Sequence, residues 1–114
     1  MTVTLELAQR VLSAFAGSDL DAVIELTVPT VVVFGTDVGE RWDDRRGLLA
    51  ALEDMRSLQL QAQFGDDLIC GEDWAAGTAS YRMPDGSVMP VRVSLTFAGD
   101  RLTHGHFSVA QPGG

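Results

Sequence analysis

No lysine occurs in this chain, and Cys70 is its only cysteine. A lone thiol closes no intrachain disulfide and builds no thiolate metal site, so the expected compartment is the reducing cytoplasm. Histidine is almost as scarce. His104 and His106 are the only two, one short of the three protein ligands that zinc takes unless a carboxylate joins them, so no metal is expected. No apolar run approaches the ~20 residues of a membrane helix. The opening stretch Met1-Thr2-Val3-Thr4-Leu5-Glu6 lacks the basic start of a secretory leader. Basic charge is thin throughout: eight arginines face sixteen acids, and the net −8 repels nucleic-acid phosphates and anionic lipid surfaces. Nucleic acid and membrane are therefore excluded as partners. No glycine-rich loop of the phosphate-cradling kind is present, and the expected cofactor list is empty.

What the chain does have is the makings of a core. Of its 114 residues 46% are hydrophobic and 21% charged, the balance of one globular domain spanning 1–114, with 110–114 a disordered tail. Leu5, Ala8, Leu12 and Phe15 recur at helical spacing, and the pattern predicts a helix that Gly17 ends in a left-handed turn. Ser18 reads as the cap of a second helix carrying Leu20, Val23, Ile24 and Thr27, closed before Pro29. The β-branched run 30–34 reads as a buried strand, 35–39 as a turn and 40–42 as a short returning strand. Asp43 or Asp44 caps a third helix with Leu48, Leu49, Leu52 and Met55 on one face. From Leu58 the period becomes two, with Gln59, Gln61 and Gln63 on the wet side. Strands over 74–83, 88–97 and 102–109 follow, joined by tight turns at 84–87 and 98–101.

This order, α-α-β-β-α-β-β-β-β, is that of the nuclear transport factor 2-like fold. Two motifs sharpen the likeness. Gly35-Thr36-Asp37-Val38-Gly39-Glu40-Arg41-Trp42 resembles the "G-T-D-P-G-E-x-W" segment of SnoaL-like domains. His104-Gly105-His106-Phe107-Ser108-Val109 resembles their "H-x-H-F-S" last strand. Val38 replaces the usual proline, and Asp100-Arg101 stands where a tryptophan is common. The resemblance spans nearly the whole chain. It implies an α+β cone, a curved and mainly antiparallel sheet around a pocket. It also implies a choice among polyketide cyclases, steroid isomerases, dehydratases, hydrolases and proteins without assigned activity.

Strand register decides which residues see that pocket. With Gly99 and Asp100 as the two central turn residues, Phe97 pairs with Leu102, Leu95 with His104, and Val93 with His106. Both histidines then share the apolar face of Val91, Val93, Leu95 and Phe97, together with Ser108. A one-residue slip turns both outward. If Met83 pairs with Val88, Trp74, Ala76, Thr78 and Ser80 line the same wall and Tyr81 points away. Trp42 and Trp74 read as packing or rim residues of the same pocket.

His104 or His106 is thus the expected base, since a neutral imidazole in an apolar cavity suits proton abstraction near pH 7. Asp37, Glu40, Ser108 and Thr78 are candidates to position it or the substrate; Asp37 also has a plain role as a turn residue. A carboxylate base is the alternative that the resemblance to steroid isomerases implies. The expected function is binding of a small, mostly apolar molecule, with cofactor-free isomerisation, cyclisation or dehydration beside a carbonyl. The rival reading is a non-catalytic ligand-binding or association module. A homodimer through the polar outer sheet face, including Gln61 and Arg92, is also expected.

Overall fold

Residues 3–36 and 39–109 are described by a computed structural model. Asp37, Val38 and the expected tail lie outside these residues. The Thr4 hydroxyl accepts the Leu7 amide at 3.1 Å and opens the first helix, α1 (Leu5–Ala16). The break after it differs from expectation. Gly17 stays right-handed at φ −82°, and Ser18 takes the left-handed turn at φ 50°. Asp19, not Ser18, caps α2 (Leu20–Leu26) through the Ala22 amide. Thr27 leaves that helix directly into β1 (Thr27–Phe34), returning its hydroxyl to the Val23 carbonyl at 2.6 Å.

β2 (Arg41–Trp42) pairs back onto β1 as the short returning strand expected, with Phe34 opposite Arg41. Asp44 caps α3 (Arg45–Met55), its carboxylate accepting the Gly47 amide at 2.8 Å. A 3-10 turn (Arg56–Leu58) leads into β3 (Gln61–Phe64), and a two-residue strand that sequence patterning missed, β4 (Ile69–Cys70), precedes β5 (Trp74–Arg82). β6 (Val88–Ala98) and β7 (Arg101–Val109) complete a seven-stranded sheet in the order β2-β1-β7-β6-β5-β3, with β4 also on β5. All pairings are antiparallel except β1 with β7. The helices fill the concave side, where Val11, Leu12, Val23 and Leu48 meet Val31, Val33, Val91, Leu95 and Leu102 as the closed core. Each fully buried aliphatic of this kind stabilises the fold by ~1.5–3 kcal/mol.

Two register features set the wall of the cone. The β5–β6 hairpin places Arg82, not Met83, opposite Val88, so Tyr81 faces Met89 and Ala75 faces Leu95. The Met83 amide instead reaches Ser87 across a loop in which Asp85 accepts from both the amide and hydroxyl of Ser87. In the β6–β7 hairpin, Gly99 at φ 63° turns the chain as expected, and Phe97 meets Leu102. Thr103 is then an extra residue: Thr96, not Leu95, faces His104, and Ser94 faces His106. The Thr103 hydroxyl ties this β-bulge to the Thr96 carbonyl at 3.1 Å. A close approach supports the far edge. A β-carbon on Gly77 would lie 2.6 Å from the Leu68 backbone, so only glycine lets the 65–68 segment cross β5 there.

Candidate functional site

The cavity of the cone lies between α1, α3 and the strands. It measures about 80 Å³. Sites for drug-sized ligands usually run from ~300 Å³, so the space as it stands suits a small molecule. Its walls are Phe15 and Ala16 from α1, Val33 from β1, Leu48, Leu52 and Met55 from α3, Leu60 before β3, Met89 from β6 and Phe107 from β7. The Phe15 and Phe107 rings meet at 5.8 Å, a tilted aromatic pair closing one side. Polar lining is confined to a few groups: Gly35, Thr36 and Glu40 from the β1–β2 turn, Trp42 beside them, and Tyr81 from β5.

Tyr81 is 7% exposed, and its hydroxyl has no protein hydrogen-bond partner among the described residues. Burial pushes its phenol above the ordinary value, because the phenolate would lose its hydration. Like any phenol it is protonated at neutral pH, and it lines the cavity as a hydrogen-bond donor. Glu40 is held by the turn. The Gly35 amide donates to the Glu40 carbonyl at 2.8 Å, and the Glu40 side chain lies across Gly35, where any β-carbon would sit 2.7 Å from its Oε1. Glycine at position 35 therefore makes room for the carboxyl group at the mouth of the cavity.

The sequence-based wall is only partly reproduced. Trp42 lines the cavity. Val93, Leu95 and Phe97 face the concave side as expected, yet they pack into closed core away from the open space. His104 and His106 do not face inward: the Thr103 bulge turns both to the outer surface, where they are exposed, and it is Gly105 and Phe107 that face in. Ser108 is exposed on the same outer face. The shifted β5–β6 register likewise carries Trp74, Thr78 and Ser80 outward, leaving Trp74 40% exposed. Thr78 is occupied there, donating its amide at 3.0 Å and its hydroxyl at 2.7 Å to Asp67, which holds that carboxyl below the usual range. Asp37 lies outside the described residues. Tyr81, placed outside by the sequence reading, is inside for the same reason that Thr78 is not.

No group of three or more histidine, cysteine, aspartate or glutamate side chains that could hold a metal ion occurs among the described residues. No helix among them is long and apolar enough to cross a membrane. What the cavity offers chemically is one carboxyl group and one neutral phenol, with the Thr36 side chain, in a largely apolar enclosure. That combination can move a proton and stabilise a developing oxyanion.

No family model and no curated protein sequence matches the chain. Solved structures do. A hypothetical protein with a ketosteroid isomerase-like fold from Catenulispora acidiphila, in complex with trimethylamine, superposes with a TM-score of 0.76 at 14% identity, covering 92% of this chain and 85% of its own. A proposed isomerase of the SnoaL-like family from Agrobacterium tumefaciens gives 0.78 at 12% identity, with 94% and 97% covered. A proposed polyketide cyclase from Sinorhizobium meliloti gives 0.73 at 20% identity, with 92% and 95% covered. With the helices on the concave side of a curved mixed sheet and near-complete overlap with these structures, the chain has the α+β cone fold of ketosteroid isomerase-like and SnoaL-like proteins.

Proposed function

We propose that the cone binds a small, mostly apolar carbonyl compound and transfers a proton beside its carbonyl group, in an isomerisation, cyclisation or dehydration that needs no cofactor. Glu40 is the base, and Tyr81 donates a hydrogen bond to the carbonyl oxygen as it gains charge. The observation that carries this reading is that these two groups line one largely apolar cavity. An enolate needs a nearby acceptor for the carbon-bound proton and a donor for the oxygen, and apolar walls strengthen both interactions by excluding water. Support also comes from two neighbours of the same fold, one proposed to be an isomerase and one a polyketide cyclase. Trp42 and Phe107 act as the flat apolar surfaces against which a small planar substrate rests.

The test is exchange of α-protons for deuterium, followed by NMR, across a panel of small cyclic ketones and enones in D₂O. The wild-type protein is expected to accelerate exchange for at least one compound. Glu40→Gln should lose ~10²–10⁴-fold of the acceleration, the range of a general base. Tyr81→Phe should lose ~10²–10³-fold, the range of one oxyanion donor. His104→Ala and His106→Ala should leave exchange unchanged. Acceleration that survives Glu40→Gln, or that falls in the histidine variants, overturns the assignment.

A further inference from the structure

Of the eight arginines, Arg45 alone is half-buried, and no carboxylate pairs with it among the described residues. One edge of its guanidinium is fixed: Nε donates to the Thr27 hydroxyl at 3.1 Å, and Nη2 donates to the Thr27 carbonyl. Thr27 is itself fully buried and bonded to the Val23 carbonyl, so the anchor belongs to the core. The end-on edge, formed by Nη1 and the second Nη2 proton, has no protein partner among the described residues. The position also runs against helix electrostatics. α1 and α2 carry an acid in the first turn, Glu6 and Asp21, whereas α3 opens on Arg45-Arg46 and has none there. Cations at a helix N-terminus cost stability, and Asp44 already caps this end through the Gly47 amide. Two guanidinium groups held where they oppose the fold point to a role outside folding. Both line an open cleft of about 500 Å³ between α2, the start of β1 and α3, together with Ile24, Pro29, Leu49 and Asp44.

We propose that this cleft binds a small monocarboxylate with a short aliphatic tail. The carboxylate takes the free edge of Arg45 as a bidentate pair, the geometry a planar guanidinium favours, and Arg46 supplies a further donor. The tail lies along Ile24, Pro29 and Leu49; Ile24 is 43% exposed, apolar surface that the tail removes from water. Asp44 on the rim sets the charge of the ligand. Its carboxylate is committed to the helix cap and repels a dianion such as phosphate more than it repels a single carboxylate. The net −8 of the chain opposes anions at long range, but at physiological salt that field is screened beyond about 8 Å, and the adjacent guanidinium groups decide. Cleft and cavity use different faces of α3, with Arg45, Arg46 and Leu49 on one and Leu48, Leu52 and Met55 on the other. The cleft is therefore independent of what the cavity binds.

The experiment is titration of the full ¹⁵N-labelled chain with sodium hexanoate at physiological salt, followed by ¹H–¹⁵N NMR. Acetate, hexanamide and inorganic phosphate are the comparison probes. Hexanoate is expected to give saturable shifts centred on Ile24, Arg45 and Leu49. It should bind roughly tenfold tighter than acetate, the worth of about two methylenes removed from water. Hexanamide has the tail without the charge, and phosphate the charge without the tail, so both should bind roughly tenfold more weakly or not at all. Arg45→Gln should lose ~10-fold or more of the hexanoate affinity, the worth of a hydrogen bond to a charged group. Because Arg45 also holds Thr27, a second variant keeps site and fold apart. Ile24→Asp, at a position the core does not use, should lose as much affinity with its melting temperature unchanged. Shifts confined to cavity residues such as Met89 and Phe107, equal binding of hexanamide or phosphate, or full affinity in Ile24→Asp overturns the proposal.

Discussion

Tyr81 is the only tyrosine in the chain, so its ionisation can be followed without ambiguity by absorbance near 295 nm. The wall of the cavity rests on its facing inward. Burial raises its pKa in the folded state above the unfolded value of about 10. The folded protein then holds the phenolic proton over a range where the unfolded chain has lost it. The stability tied to that proton is complete below pH ~10 and decays as pH rises, by about 1.4 kcal/mol per pH unit until the folded group itself ionises. At pH 11 the loss is about 1.4 kcal/mol relative to pH 8, a shift of some 4–8 °C in a domain of this size. Cys70, whose thiol is also raised by burial, acts in the same direction, so the measurement belongs in a Cys70→Ser background. Two readings check the argument. In folded protein, tyrosinate should appear at clearly higher pH than in urea. Chemical denaturation of Cys70→Ser at pH 8, 10 and 11 should lose stability with the slope above, and the added Tyr81→Phe change should abolish it. Tyrosinate that appears near pH 10 in both states would mean that Tyr81 faces solvent and that Met83 pairs with Val88 after all.

Gly77→Ala should destabilise by more than ~2 kcal/mol in urea titration, because a β-carbon meets the Leu68 backbone at 2.6 Å and neither chain can give way cheaply. Thr27→Val removes the hydroxyl that donates to the Val23 carbonyl and accepts from the Arg45 guanidinium; the expected cost is ~1–3 kcal/mol, read as a lower melting temperature. Asp67 is held below its usual pKa by the amide and hydroxyl of Thr78, so its contribution is present above pH ~4 and is lost as pH falls through the folded value. Asp67→Asn should flatten the acid limb of the stability curve, and an unchanged limb would show that this contact contributes nothing.

Much of the fold was legible because its signals are local. The stripe of α1, the Asp44 cap, the Gly99 turn and the alternation of glutamines with Leu60 and Ala62 each specify one element without reference to another. The wall of the cavity was not, because it depends on counts across turns, where a single residue reverses every side chain that follows. A signal did exist in β5. A register that puts Trp74, Thr78 and Ser80 inside also puts Arg82 inside, whereas the opposite parity turns Ala75, Gly77, Ala79 and Tyr81 inward, a set without a charge, and Ala75, Ala79 and Tyr81 are buried. In β7 the apolar residues fall at Leu102, then Phe107 and Val109, changing parity within the strand, which is the mark of an inserted residue. Glu40 was weighed as a turn-side acid from sequence. The contributions of Phe15, Met55 and Met89 to the lining come from helix–sheet packing that no motif encodes.

The Thr103 bulge also bears on how such proteins change over time. Whether Thr103 stands outside the ladder or takes a place in it leaves the hairpin turn and the strand order alone, yet exchanges the residues of the last strand that face inward for those that face outward. Were Thr103 to take a place opposite Thr96, His104 and His106 would face the interior beside Leu95 and Val93 and Phe107 the surface, whereas deleting Thr103 would keep Thr96 opposite His104 and leave both histidines outside. In a cone of this kind the last strand therefore acts as a two-sided template, and the making or smoothing of a bulge is an economical route from one binding surface to another. Comparing two such chains by aligning their histidines, without counting residues back to the turn, will equate positions that look in opposite directions.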